Sequence, residues 1–240
     1  MTILCIDTAT EHGTVAVVRG DGSTASVGWR SAGRHGENLF GYIESVLAEA
    51  GASREELSLI GVDIGPGRFT SLRVGLGTAK GLALGLGLPI VGVSSLRVLA
   101  RAIEGDAALV RVPVMNAYRG DVFAAAYLLV DGGVEELAPA IFGAPDLVFS
   151  EIRDAVGGRP VAVGGEGVPP HADVIEAMLG VKVDEVQMSL AAATPDALVA
   201  EVRHAIRTTG PADLDSLEPQ YLRPSDAKLP DRLLQTEHPR

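Results

Sequence analysis

Asp63-Ile64-Gly65-Pro66-Gly67-Arg68-Phe69-Thr70-Ser71-Leu72-Arg73-Val74-Gly75 is the stretch whose reading decides the fold. A short apolar strand, residues 59–63, leads into it, and a helical run continues to Leu88. Gly-Pro-Gly enforces a tight turn between the two, because glycine accepts positive φ and proline fixes its own. Thr70 or Ser71 is placed to cap the helix by accepting from a first-turn N–H. Inside the helix lie Gly75, Gly77, Gly81 and Gly85. Each costs about 0.8–1 kcal/mol relative to alanine, a sum of roughly 3–4 kcal/mol. A chain that keeps them recovers the loss by letting another backbone come close. Ser71, Gly75, Thr78, Leu82 and Gly85 recur at helical spacing as a mostly small-residue face, and Leu72, Leu76, Ala79, Ala83 and Leu86 form a second, apolar face. The apolar face is expected on the core. The small-residue face is expected against another helix, in this chain or in a partner.

Working outward, residues 3–6, 15–18 and 25–29 read as strands separated by glycine turns at Gly13 and Gly20-Asp21-Gly22, an antiparallel meander. A helix follows over residues 37–50, with Leu39, Ile43, Val46, Leu47 and Ala50 as its buried stripe and Gly51 as its stop. Ser53-Arg54-Glu55-Glu56 has the capping-box pattern. After the glycine-rich helix come a strand at 89–93 and a helix, capped by Ser94 or Ser95, to about residue 103. The order then begins again: strands at 109–115, 122–130 and 134–137, a helix at 144–156, a strand at 160–163, a helical segment at 172–179, a strand at 183–186 and a helix at 195–206. Two halves of one βββαβαβα plan predict an α/β protein of two similar lobes, with no residue-level repeat. The expected divisions are 1–104, 105–210 and a C-terminal segment 211–240, whose polar end from Pro224 is expected to be mobile.

Composition bounds the function. The 240 residues suffice for a sizeable core, and a hydrophobic content of 47% excludes a disordered chain. A net charge of −11 argues against this chain alone gripping a phosphate backbone. The single Cys5 excludes a disulfide framework. Neither a signal-peptide pattern nor an apolar run of membrane-spanning length is present, so a cytoplasmic protein is expected.

Several motifs carry open alternatives. Asp7-Thr8, at the end of the first strand, suits a metal-bound water or a phosphate, and equally a turn bonding its own backbone. The turn from Gly65 to Thr70, with Arg68 and Arg73, suits an anion at a helix start or a plain strand-to-helix turn, and it is not a Walker A loop. Gly164-Gly165-Glu166-Gly167 suits a nucleotide cradle or a solvent-facing turn. His12, His35, His171, His204 and His238 include no pair at helical metal-binding spacing. His35, before a helix, reads as a surface pH-sensitive contact or a helix-start polar residue. Tyr118 and Arg119, at a bend between two strands, are placed to meet a partner or simply to end a strand. No Gly-x-Ser-x-Gly elbow is present.

The motifs Ile6-Asp7-Thr8, Arg34-His35-Gly36-Glu37, the stretch from Gly65 to Gly75, Lys80-Gly81-Leu82-Ala83, Val91-Gly92-Val93-Ser94-Ser95-Leu96, the run from Asn116 to Phe123, and Pro219-Gln220-Tyr221-Leu222-Arg223 resemble the TsaB (YeaZ) family. That family belongs to the pathway forming N6-threonylcarbamoyladenosine in tRNA. The resemblance implies an actin/Hsp70/sugar-kinase-like fold, with a last helix that returns to the first lobe. It implies a non-catalytic paralogue of TsaD, because Ser95 and Leu99 stand where TsaD carries its His-x-x-x-His metal pair. The implied partners are TsaD, as a heterodimer, and the ATPase TsaE; tRNA is met only through the complex, and the chain alone is expected to form a homodimer. The interface is expected at His35, Glu37, Phe40, Arg68, Ser71, Gly75, Thr78 and Leu82. No cofactor is expected in the isolated chain. Asp7, Thr8, Gly164 and Gly165 are the vestigial nucleotide positions, with ATP or ADP placed at the complex interface. The sequence departs from the family at Arg68, where serine or proline is commoner, at Ser71, where glycine is, and at Asn116-Ala117-Tyr118, where Asp-Ala-Arg is. The rivals are an ATP-dependent phosphotransferase with Asp7 as its metal-side carboxylate, and a metalloprotease-like hydrolase, which the histidine spacing disfavours.

Overall fold

The computed structural model describes residues 1–31, 35–130, 133–183 and 193–223. Its first half runs β1 (Thr2–Asp7), β2 (His12–Val18), β3 (Thr24–Arg30), α1 (Leu39–Glu49), β4 (Leu57–Gly65), α2 (Phe69–Leu86), β5 (Ile90–Ser94) and α3 (Ser95–Ala102). The five strands form one sheet in the order β3-β2-β1-β4-β5, with β1, β4 and β5 parallel. Because helices cover both faces of its centre, β1 is apolar at every position from Ile3 to Ile6 rather than alternating. Leu4, Ile6, Val15, Val17, Ile60 and Val62 point to one side, where α1 and α2 supply Ile43, Val46, Leu76 and Ala79. Ile3, Cys5, Ala16, Leu59 and Val91 point to the other.

The second half runs β6 (Val110–Tyr118), β7 (Asp121–Val130), β8 (Gly133–Gly143), α4 (Pro145–Val156), β9 (Val161–Gly164), α5 (Ala172–Leu179) and α6 (Pro195–Thr208). The sheet order is β8-β7-β6-β9. One face packs on α4 and α5 through Val112, Val114, Phe149 and Ile175. The other packs on α3, where Leu96, Leu99 and Ala100 meet Met115, Phe123 and Tyr127. Helix α3 is thus the apolar wedge between the lobes. The strand expected at 183–186 is not seen at Val183, and 184–186 lie outside the described residues, as do Arg34 and the tail from Pro224.

Helix α6 is the last described helix. It lies in the 105–210 span but packs on the first sheet, with Leu198 and Val202 over Ile3, Cys5 and Val91. Gly61 permits this approach, since a Cβ there would collide with Val202. Glu201, buried, accepts from Arg97 Nε and Arg101 Nε of α3, each at 2.6 Å. The segment after α6 also runs along the first lobe: Ala212 N–H donates to Ile90 O at 2.8 Å and Gln220 N–H to Ile64 O at 2.6 Å. Between the lobes, buried Arg111 donates to the carbonyls of Ile103, Gly105, Asp106 and Leu109 and so binds the linker into a fixed turn.

The turn into α2 also differs from expectation. Arg68, not Thr70 or Ser71, takes the N-cap position, and no side chain caps the helix. Gly65, at φ +108°, turns the chain, and Arg68 N–H then donates to Ala9 O at 2.8 Å. A glycine at 67 is required because a Cβ would strike that same Ala9 carbonyl. Likewise Ser94 is the N-cap of α3 without a side-chain bond. No described helix is long and apolar enough to cross a membrane.

Candidate functional site

Parallel pairing of β1 and β4 in the register Ile6–Val62 brings Asp7 beside Asp63 at the ends of the two central strands. This is where open α/β sheets present their ligand-binding edge. Both carboxyls are buried. Asp7 Oδ1 accepts from Ala9 N–H at 2.8 Å. Asp63 Oδ1 accepts from Gly65 N–H at 2.7 Å and from Ser95 Oγ at 2.6 Å. Asp63 Oδ2 is buried with no N–H or hydroxyl donor among the described residues to satisfy it. Burial pushes Asp7 up to about 6, against the Ala9 N–H and the bond to Asp63. Burial, and then the charge of Asp7, raise Asp63 well above the ordinary carboxylate range. Two facing buried carboxyls resist ionising together, so the pair holds a proton to higher pH than a free carboxyl does.

Both folded values lie above the ordinary 3.8, so the folded chain holds protons that the unfolded chain releases. Stability is therefore fullest below that value and is lost as pH rises through the raised ones. Asp63→Asn keeps both acceptor bonds at Oδ1 and offers an N–H to Asp7 without a proton to hold. The variant is expected to be more stable at pH 7 by about 1–3 kcal/mol, since each tenfold difference in proton affinity between folded and unfolded chain is worth roughly 1.4 kcal/mol. Urea unfolding at pH 5 and pH 8 should show a smaller difference between the two pH values than in the parent.

The remaining nucleotide positions are spent on the fold. Thr8 Oγ1 donates to Ser71 O at 2.7 Å. Gly164 and Gly165 do not open a cradle: Gly165, at φ +121°, lies against the Val114 carbonyl and Leu99, and Gly167 N–H donates to Val114 O at 3.0 Å. These glycines let the chain after β9 lie directly on β6.

The positions expected at a partner surface separate into two groups. Ser71 and Gly75 are buried, and a Cβ on Gly75 would collide with Thr8 Oγ1. The close approach that Gly75 serves is therefore to the end of β1, not to a partner. His35 is also buried: its Nδ1 accepts from Trp29 Nε1 at 3.0 Å and its Nε2 bonds to Thr10 O at 2.8 Å. Burial lowers its pKa and keeps the ring neutral, so it is not a surface contact. Arg68 is half-buried and paired with Glu11 at 3.1 Å. Thr78 and Leu82 are half-buried on the flank of α2, while Glu37 is exposed and Phe40 is 57% exposed.

The outward face of α2 is instead Gly77, Gly81 and Gly85, each with nothing within 4 Å of an added Cβ. Leu84, 73% exposed, and Phe69, 54% exposed, lie on the same helix. The i, i+4, i+8 spacing of these glycines is the sequence signal for that face. Arg73, expected only as an anion contact of the turn, is engaged with aromatic rings. Its guanidinium carbon sits 3.8 Å from the Phe69 ring centroid, and its Nε donates to Tyr221 Oη at 2.9 Å.

A metal at the positions matching TsaD's histidine pair does not fit this donor set. Ser95 Oγ is committed to Asp63, and Leu99 is apolar and buried in the interlobe core. Among the described residues no group of three or more histidine, cysteine, aspartate or glutamate side chains is arranged to hold a metal.

The family model described as TsaD, tRNA N6-adenosine threonylcarbamoyltransferase, matches residues 30–227. The chain is 31% identical over 230 residues to the tRNA threonylcarbamoyladenosine biosynthesis protein TsaB of Bacillus subtilis, covering 95% of this chain and 96% of that one. It is 32% identical over 168 residues to TsaB of Escherichia coli, covering 68% of this chain and 71% of that one. YeaZ from Pseudomonas aeruginosa shares the fold, with a TM-score of 0.76 at 24% identity over 92% of this chain and 99% of the other. On sequence along nearly its whole length, and with a matching fold, the chain belongs to the TsaB family.

Proposed function

We propose that this protein is the non-catalytic partner of a TsaD-family enzyme in the formation of N6-threonylcarbamoyladenosine on tRNA in the cytoplasm. Family membership supports the pathway, since the B. subtilis and E. coli relatives carry that biosynthesis in their names. The observation that carries the partner role is the outward face of α2, a glycine stripe at Gly77, Gly81 and Gly85 flanked by exposed Leu84 and Phe69. Four glycines in an 18-residue helix are costly in isolation. Gly75 is explained by Thr8, whereas an added Cβ on any of the other three meets no described atom within 4 Å, which supports the approach of a partner helix there. The TsaD-family protein takes this face in the heterodimer, and a second copy takes it when the chain is alone. TsaE and any ATP or ADP join at the complex, and the acidic chain meets tRNA only there.

Reconstitution tests the reading. The chain is mixed with the TsaD and TsaE proteins of its own organism, threonylcarbamoyl-adenylate and unmodified tRNA, and modified adenosine is scored. Modification is expected to require the chain, and the chain alone is expected to turn over no ATP. Equal modification without it would sink the tRNA role, and ATP turnover by the isolated chain would favour a phosphotransferase.

A further inference from the structure

A groove of about 330 Å³ runs between α2 and the segment after α6. Its α2 side carries Arg73, Gly77 and Lys80, at i, i+4 and i+7 and so on one face of the helix. Its other side carries Leu217, Glu218 and Tyr221. Both cations are held in place by neutral groups. Arg73 Nε donates to Tyr221 Oη at 2.9 Å, and its guanidinium carbon lies 3.8 Å from the Phe69 ring centroid. The Phe69 and Tyr221 rings stack on each other, with centroids 5.2 Å apart. Lys80 Nζ donates to Leu217 O at 3.1 Å and to Asp215 O at 3.4 Å. Among the described residues neither cation has a carboxylate within ion-pair distance. Glu218 is exposed at the side of the groove, and Asp213 feels the charge of Lys80 from farther off.

A chain of net charge −11 therefore keeps two fixed cations in one groove without a close counter-charge. Folding has already ordered both side chains, so a ligand does not meet that cost again. The groove is continuous with the bare glycine face: Gly77 belongs to both, and an added Cβ there meets nothing within 4 Å. A helix lying along Gly77, Gly81 and Gly85 passes over Arg73 and Lys80. We infer that the groove receives carboxylate side chains from the partner helix that crosses α2, an inference that rests on the heterodimer proposed above and adds the chemistry of the contact. The Arg73 guanidinium offers a planar fork that matches a carboxylate, and Lys80 offers a compact charge one to two turns farther along. The glycines allow close approach at any register. The two cations select one, because a partner helix slid by a turn, about 5.4 Å, would carry its acids past them.

The test is titration calorimetry of the full chain with the TsaD-family protein of its own organism, at about 50 and about 300 mM NaCl. The double variant Arg73→Gln, Lys80→Gln is expected to bind about tenfold more weakly at the lower salt and to lose most of the salt dependence. Glu218→Gln removes a carboxylate that repels the incoming acids, and is expected to bind about threefold more tightly. Exchange protection of the Ala212 and Gln220 amides, which bond to Ile90 and Ile64, reports that the segment after α6 is in place in each variant. Glu218 bonds to nothing among the described residues, so its variant tests the groove even where the change at Lys80 loosens that segment. Wild-type binding without salt dependence, full-strength binding by the double variant with both amides protected, or binding by Glu218→Gln no tighter than wild type would each overturn the groove's role and leave the heterodimer standing. A wild-type chain that does not bind this partner at all would overturn both. Self-association weakened in the double variant, with partner binding unchanged, would make a second copy the occupant instead.

Discussion

Replacing Gly77, Gly81 and Gly85 together by alanine is expected to stabilise the isolated protein by about 2–3 kcal/mol, each site gaining about 0.8–1 kcal/mol of helix propensity. The same variant is expected to bind the TsaD-family partner about 100-fold more weakly, a loss of roughly 2.7 kcal/mol. The opposite signs make the prediction sharp. Added methyl groups at these positions meet nothing among the described residues, so folding feels only the stiffer unfolded backbone. A partner helix that fits against bare glycine would be pushed outward by three methyls and lose packing along the crossing. Thermal unfolding at low protein concentration reads the first effect, before self-association contributes. Titration calorimetry with the partner reads the second. A stabilised variant that still binds at full strength would show that this face is bare for some other reason. Gly75→Ala is the control from inside the fold, because its Cβ collides with Thr8 Oγ1 and should destabilise.

Glu201→Gln is expected to cost about 3 kcal/mol, the lower end for breaking a buried ion pair. Its carboxylate is 3% exposed and neutralises two guanidiniums at once, each bonded at 2.6 Å. The amide can accept at one oxygen only and carries no charge, so Arg97 and Arg101 are left facing one another without that anion. The urea midpoint should fall with an unchanged slope. Glu44→Gln is the contrast. Glu44 pairs with Arg54 in the open, with both side chains about half exposed, and its loss should change stability by no more than about 0.5 kcal/mol. Equal effects from the two substitutions would mean that Glu201 is not what fastens α6 to α3.

Much of this architecture is legible in the sequence because local patterns and global packing agree. Residues 3–6, 15–18 and 25–29 announce strands by apolar runs cut at glycines. The capping box at Ser53 and Glu56 forms as written. Strand β8 extends well beyond the expected 134–137, because Pro139 looks unlike a strand residue. As the sheet's edge it tolerates both exposed acids and a proline. The face of α2 is misphased for a different reason. Gly75 and the Gly77, Gly81 and Gly85 series interleave on one helix, and only the fold shows that Thr8 lies beneath the first while no described atom comes within 4 Å of a Cβ on the others. The Asp7–Asp63 pair leaves no trace at all in the sequence, since the two residues become neighbours through β1–β4 register. The glycines from 164 to 167 mislead in the usual way of small residues: the same absence of side chain suits a ligand or a neighbouring strand.

The placement of α6 has a consequence for the growing chain. The first 104 residues contain every strand of the first sheet, yet one face of that sheet is covered by Leu198, Val199 and Val202. During synthesis Ile3, Cys5 and Val91 must wait uncovered until residues 195–208 have left the ribosome. The lobe that is made first is therefore the lobe completed last, and the second lobe, whose own sheet is covered by α3, α4 and α5, can mature while its predecessor is still open.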